Sequence, residues 1–207
     1  MKRIREITIL VLMFAVGTLG LSFGCSGAGP SPTSPPCDQN CEDMVAMRSF
    51  RETLKQIFNG ALQAMPVGDQ DVTYACAPLG GTAHVTGTAT SNADVGSTSV
   101  NLTYVLDHCR YVAEDTDPTQ NYDITLTGTA LETGIIAVQP GSTTSLSITS
   151  DAMILSGSVY SPPLSYQTDG DAGASDGGQA GSCAIELSQN GNQLSGTICG
   201  RAAGVDL

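Results

Sequence analysis

Residues 42–65 read EDMVAMRSFRETLKQIFNGALQAM, and beyond them the chain changes period. Met47, Phe50, Leu54, Ile57, Phe58, Ala61, Leu62 and Met65 recur at intervals of three and four. Arg48, Arg51, Glu52, Lys55, Gln56, Asn59 and Gln63 fill the opposite face. That spacing predicts an amphipathic helix. Asn40 is placed to cap it, and Glu42 and Asp43 stand in the first turn, where the helix dipole favours negative charge. Pro66 stops it. From residue 71 the apolar period is two. Val72, Tyr74 and Cys76 alternate with Thr73 and Ala75; Val100, Leu102, Tyr104 and Leu106 with Asn101, Thr103 and Val105; Tyr122, Ile124 and Leu126 with Asp123 and Thr125. Met153 and Leu155, then Ile185 and Leu187, repeat the pattern. Such alternation means half-buried antiparallel strands, about eight or nine of them here. No helical run between them is long enough for parallel crossovers. The expected fold is α+β: one long N-terminal amphipathic helix packed on a curved, half-barrel-like antiparallel meander. Residues 41–207 form its single domain.

A short repeat runs through the strands. Val85-Thr-Gly-Thr-Ala89, Leu126-Thr-Gly-Thr-Ala130, Leu155-Ser-Gly-Ser-Val159 and Leu194-Ser-Gly-Thr-Ile198 share an apolar–hydroxyl–Gly–hydroxyl–apolar pattern. Residues i, i+2 and i+4 of a strand share a face, so Gly87, Gly128, Gly157 and Gly196 point inward. Glycine weakens a strand, and its recurrence calls for a sharp bend or the close approach of another backbone. The long helix is the expected neighbour.

Ahead of the helix the chain has a different character. Lys2, Arg3 and Arg5 precede an apolar run from Ile7 to Leu21, which is short for a membrane span. A charged start, a short apolar core and small residues after it describe a secretory signal over residues 1–24. The run Leu21-Ser22-Phe23-Gly24-Cys25-Ser26 resembles the lipobox of bacterial lipoproteins, with Ser22 standing where that family prefers Leu. The resemblance implies cleavage before Cys25 and attachment of a lipid to it. With Ser26 rather than Asp next, it also implies the outer membrane, on either its periplasmic or its outer face. Residues 25–40 then form a tether, since GAGPSPTSPP at 27–36 has four prolines and no large apolar side chain. The element order is similar to the half-barrel-and-helix fold of periplasmic lipoprotein carriers. The C-terminal LSGTICG resembles β-rich bacterial lipoproteins to which no activity is assigned. Both likenesses are analogies of architecture.

Charge excludes one large class of function. The chain has 8 basic and 20 acidic side chains; without Lys2, Arg3, Arg5 and Glu6 the counts are 5 and 19, a net charge of −14. Such a surface repels phosphate backbones, so no nucleic-acid partner is expected. The expected partners are the membrane, through the lipid on Cys25, and an apolar ligand or an envelope protein.

Besides Cys25 there are six cysteines: Cys37, Cys41, Cys76, Cys109, Cys183 and Cys199. An even number in an exported chain implies up to three disulfides, and fifteen connectivities are possible. The turn Asn190-Gly191 is a strong two-residue hairpin signal. It sets Leu187 opposite Leu194 and turns Cys183 and Cys199 to opposite faces, so these two are expected to bond elsewhere. A three-residue loop with a bulge is the alternative and would align them.

No residue set recommends catalysis. The chain has no P-loop, dinucleotide fingerprint or zincin motif. His84 and His108 have no local partner in the sequence. The aspartates of the Gly170–Gly181 loop miss the EF-hand order, and Glu114-Asp115-Thr116-Asp117 reads as a turn. No cofactor, metal or catalytic residue is expected. A non-enzymatic envelope role, structural or binding, is favoured over a hydrolase assembled from dispersed residues.

Overall fold

In a computed structural model the described residues are 36–62, 66–137, 143–168 and 181–207. All belong to the second of two units into which the chain divides, Ser34–Leu207. Helix α1 spans Gln39–Leu62. Among the described residues nine strands follow: β1 Asp69–Ala75, β2 Thr82–Asn92, β3 Ser97–Ala113, β4 Tyr122–Ala137, β5 Ser145–Val159, β6 Leu164–Gln167, β7 Cys183–Asn190, β8 Gln193–Ile198 and β9 Arg201–Asp206. They form one antiparallel sheet in the order β1-β2-β3-β4-β5-β7-β8-β9. The long strand β5 departs from a simple meander. Its Ser156–Val159 stretch pairs with β6, and its earlier residues pair with β7.

The helix starts earlier than its apolar stripe suggests. Asp38, not Asn40, caps it: the Asp38 carboxylate accepts the Cys41 amide at 3.0 Å. Residues 63–65 lie outside the described residues. Along α1 only Lys55, Gln56, Asn59 and Gly60 are exposed beyond its first two residues. Met47, Phe50, Leu54 and Ile57 are fully buried, each burial worth roughly 1.5–3 kcal/mol. The helix packs against both edge strands, β1 and β9, and against β3, β4, β5, β6 and β8 between them. It shares one hydrophobic core with the inward residues the alternation predicts, among them Leu102, Tyr104, Ile124, Leu126, Leu155 and Ile185. Gly60 is where Tyr74 of β1 crosses α1, since a Cβ there would stand 2.4 Å from the Tyr74 hydroxyl.

The repeat glycines occupy inward positions opposite large apolar residues of the next strand: Gly87 faces Leu102, Gly128 Leu106, Gly157 Ile124 and Gly196 Leu187. The backbone that approaches them is not the helix. A Cβ on Gly196 would meet the Glu186 carbonyl oxygen at 2.0 Å, and one on Gly128 the Ala152 carbonyl oxygen at 2.7 Å. Both carbonyls belong to the neighbouring strand. The two glycines also hold φ at +152° and +141°, a region that side chains with a Cβ rarely enter.

The cysteines pair as Cys37–Cys41, Cys76–Cys109 and Cys183–Cys199. The third pair overturns the expectation that Cys183 and Cys199 bond elsewhere. The β7–β8 hairpin turns at Gly191-Asn192, so Leu187 faces Gly196 rather than Leu194. That is a shift of two, which leaves the facing of side chains unchanged. What brings the sulfurs together is the next turn. Cys199 lies past the end of β8, and Cys199 and Gly200 take φ of +52° and +73° between the paired Ile198 and Arg201. Two positive φ values make this a type I′ hairpin turn. Cys199 therefore leaves the strand alternation, and its side chain reaches Cys183. On chain entropy, closing loops of 4, 33 and 16 residues stabilises by about 2, 3.7 and 3 kcal/mol respectively.

Candidate functional sites

The inner face of the sheet is covered by α1. The interface carries two polar clusters among its apolar contacts. In the first, Arg51 and Glu132 are 3% and 0% exposed. Arg51 Nε donates to Gln189 Oε1 at 2.5 Å, and the Tyr104 hydroxyl donates to Glu132 Oε2 at 2.6 Å. Arg51 Nη1 stands 3.8 Å from Glu132 Oε1, and neither atom has a hydrogen-bond partner among the described residues. Burial pushes the Glu132 carboxyl above its ordinary value, against the pull of Arg51 and the Tyr104 hydrogen bond. Burial, and then the Glu132 carboxylate, push the Tyr104 phenol well up.

The second cluster ties the start of α1 to the end of the sheet. Arg201 of β9 forks onto the buried Asp43 carboxylate, Nε to Oδ2 at 2.7 Å and Nη2 to Oδ1 at 2.9 Å. The Tyr166 hydroxyl of β6 donates to the same Oδ1 at 2.9 Å. Its pKa is raised by burial and by Asp43; that of Arg201 is raised chiefly by its hydrogen bond to Asp43. One turn further along α1, Arg48 donates to the carbonyls of Thr119 and Asp206. The arrangement as a whole positions a helix. It gathers no reacting groups around open space.

Sequence reading placed Arg51 on the solvent face, and the structure corrects this. The signal was present: Arg51 falls four residues after Met47 and three before Leu54, on the apolar stripe. Glu132 likewise continues the inward series Ile124, Leu126, Gly128, Ala130.

Outside the α1 interface, each histidine does have a carboxylate partner. His84 Nε2 lies 2.7 Å from Asp71 Oδ1 across β1–β2, and His108 Nδ1 lies 2.6 Å from Asp107 Oδ1. The first pair spans thirteen residues of sequence, which is why no local pattern showed it. Both pairs are open to solvent, where an ion pair contributes little. Among the described residues, no three His, Cys, Asp or Glu side chains gather to hold a metal.

The acidic turn after β3 borders a depression of about 430 Å³ lined by Glu114, Asp115, Asn121, Asp123, Ser158 and Tyr160, among others. Its carboxylates serve the loop itself. Asp115 accepts the Asp117 amide, and Asp117 accepts the Thr119 amide and hydroxyl. These hydrogen bonds hold both carboxyls below the ordinary aspartate value. Arg110, in a two-pronged contact at 2.7 Å, does the same for Asp123. Residues 114–117 form the loop that leads from β3 into the 3-10 turn at Pro118–Gln120.

Cys25 and most of the Gly170–Gly181 loop lie outside the described residues. No family model matches the chain, and neither a curated protein nor a solved structure is significantly similar to it.

Proposed function

We propose that the chain is a lipid-anchored envelope protein with a non-enzymatic role, structural or as a docking surface for another envelope component. The observation that carries this reading is the arithmetic of the cysteines. Cys37, Cys41, Cys76, Cys109, Cys183 and Cys199 pair among themselves, which leaves Cys25, behind a signal-like run, as the odd cysteine. Three disulfides are compatible with an oxidising compartment outside the cytoplasm. We read the sheet as a half-barrel whose trough α1 fills. That favours an outward-facing role over the capture of an apolar ligand. The acidic surface favours a protein partner over an anionic polymer.

Cys25→Ala tests the anchor. The variant is expected to leave the membrane fraction and appear as soluble protein. Continued fractionation of Cys25→Ala with membranes would show the assignment to be wrong.

A further inference from the structure

The three disulfides differ in how they sit in the domain. Cys76, Cys109 and Cys199 belong to the hydrophobic core, and Cys183 packs against it. Cys37 and Cys41 are outside that core and both are part-exposed. They close four residues, against 33 and 16 for the other two. Cys37 precedes the capping Asp38, and Cys41 lies in the first turn of α1. The cross-link therefore joins two residues that the start of the helix already holds near each other. It ties no strand to another.

We propose that Cys37–Cys41 is a thiol–disulfide exchange site, open to a small thiol or to an exposed dithiol of another protein, while the other two disulfides are structural. A thiolate of the reductant attacks one sulfur of the pair and forms a mixed disulfide. The S–S bond breaks, and the displaced sulfur leaves as a thiolate and takes up a proton. A second thiol of the reductant then attacks the mixed disulfide. Oxidised reductant leaves, and Cys37 and Cys41 remain as two thiols, having gained the two electrons the reductant lost. Because its loop is the shortest, this pair adds least to the stability of the fold, so the domain can stay folded when it opens. The displaced thiolate meets the amino end of α1, which favours it, and Asp38 and Glu42, which oppose it. Selectivity therefore comes from access rather than from thiol acidity, since each of the other pairs has at least one cysteine buried in the core. The site works the same way whether or not Cys25 carries a lipid.

Stepwise reduction of the native, full chain with glutathione or dithiothreitol tests this, with alkylation and peptide mapping at each step. Cys37 and Cys41 should be labelled together at reductant levels that leave Cys76–Cys109 and Cys183–Cys199 closed. Circular dichroism should not change at that stage. Glutathione should be found as a mixed disulfide on Cys37 or Cys41, and glutathione disulfide should restore the pair without unfolding. Opening of all three pairs together, or of another pair first, would overturn the proposal. The double variant Cys37→Ser/Cys41→Ser provides a second check. It should fold as before and lose the early labelling step. If it loses the fold instead, the pair is structural and the proposal fails.

Discussion

Gly128→Val replaces a poor strand former with a good one, and yet it is expected to destabilise. Valine gains from β propensity only where the backbone is ordinary. Here φ is +141°, which costs a non-glycine residue about 1–3 kcal/mol. The Ala152 carbonyl oxygen, 2.7 Å from where the Cβ would stand, adds to that. Gly204 is the control. No positive φ holds it, and its nearest neighbour would stand 3.6 Å from a Cβ. Gly204→Ala should then be neutral or gain up to about 1 kcal/mol. Urea midpoints of the two variants decide the matter, and a Gly128→Val protein as stable as the parent would leave the repeat without its backbone role. The repeat itself was legible as a string of letters, and so was its inward phase. The identity of the close neighbour was not, because a carbonyl carries no side-chain signature and the pairing partner depends on register. Cys199 was hidden for a related reason. Its neighbours Thr197 and Ile198 belong to a strand, and alternation extended by one residue gives the wrong face. Only the positive φ in the turn with Gly200 frees it.

Arg51 and Glu132 join α1 to β4 through groups that neither element would bury alone. Removing one partner leaves the other as a buried, uncompensated charge or forces it to neutralise, at a cost of about 3–5 kcal/mol. Replacing both with uncharged groups of similar volume removes that penalty. Arg51→Met and Glu132→Gln are therefore each expected to destabilise, and the double variant to recover much of the loss, with a coupling of about 0.5–3 kcal/mol. Denaturant midpoints of the four proteins measure it. Simple additivity would mean that the two groups do not act on each other across their 3.8 Å separation. The elements themselves were easy to read in the sequence, since a period near 3.6 and a period of two are direct images of a helix stripe and a strand face. The buried charges were harder. A hydropathy pattern treats Arg51 as polar and assigns it to solvent, although its position on the stripe says otherwise. The Asp43–Arg201 fork joins residues 158 apart in sequence, and nothing local announces such a contact.

Across the whole molecule, ionisation acts in opposite senses at the two ends of the pH scale. Asp115, Asp117 and Asp123 are held below the ordinary value of 3.8. Their contribution is present above that value and is lost as pH falls through their folded values. Glu132 is raised above 4.5, so its contribution is fully present below 4.5 and is lost as pH rises through its folded value. On the acid side the two effects oppose each other, and the stability profile there should be shallow. The alkaline side has no such opposition among the tyrosines. Tyr104, Tyr111, Tyr122 and Tyr166 are all raised above 10, each chiefly by burial. Tyr111 and Tyr122 reach about 12, helped by the Tyr74 phenol and the Glu52 carboxylate respectively. Neutral phenols therefore stabilise the fold fully below 10, and that stability is lost as pH rises through about 12. Tyr104 and Tyr166 each donate to a carboxylate that already bears negative charge. A proton lost from either would set two anions side by side inside the α1 interface. The expected result is that these four tyrosines do not titrate one by one. Their ionisation should lag behind that of free tyrosine and then coincide with loss of the fold. Tyrosinate absorbance and circular dichroism, followed together as pH rises, should change in a single transition. Smooth ionisation of these four residues near 10 with the fold intact would show that these phenols are open to water, and that α1 does not cover the inner face of the sheet.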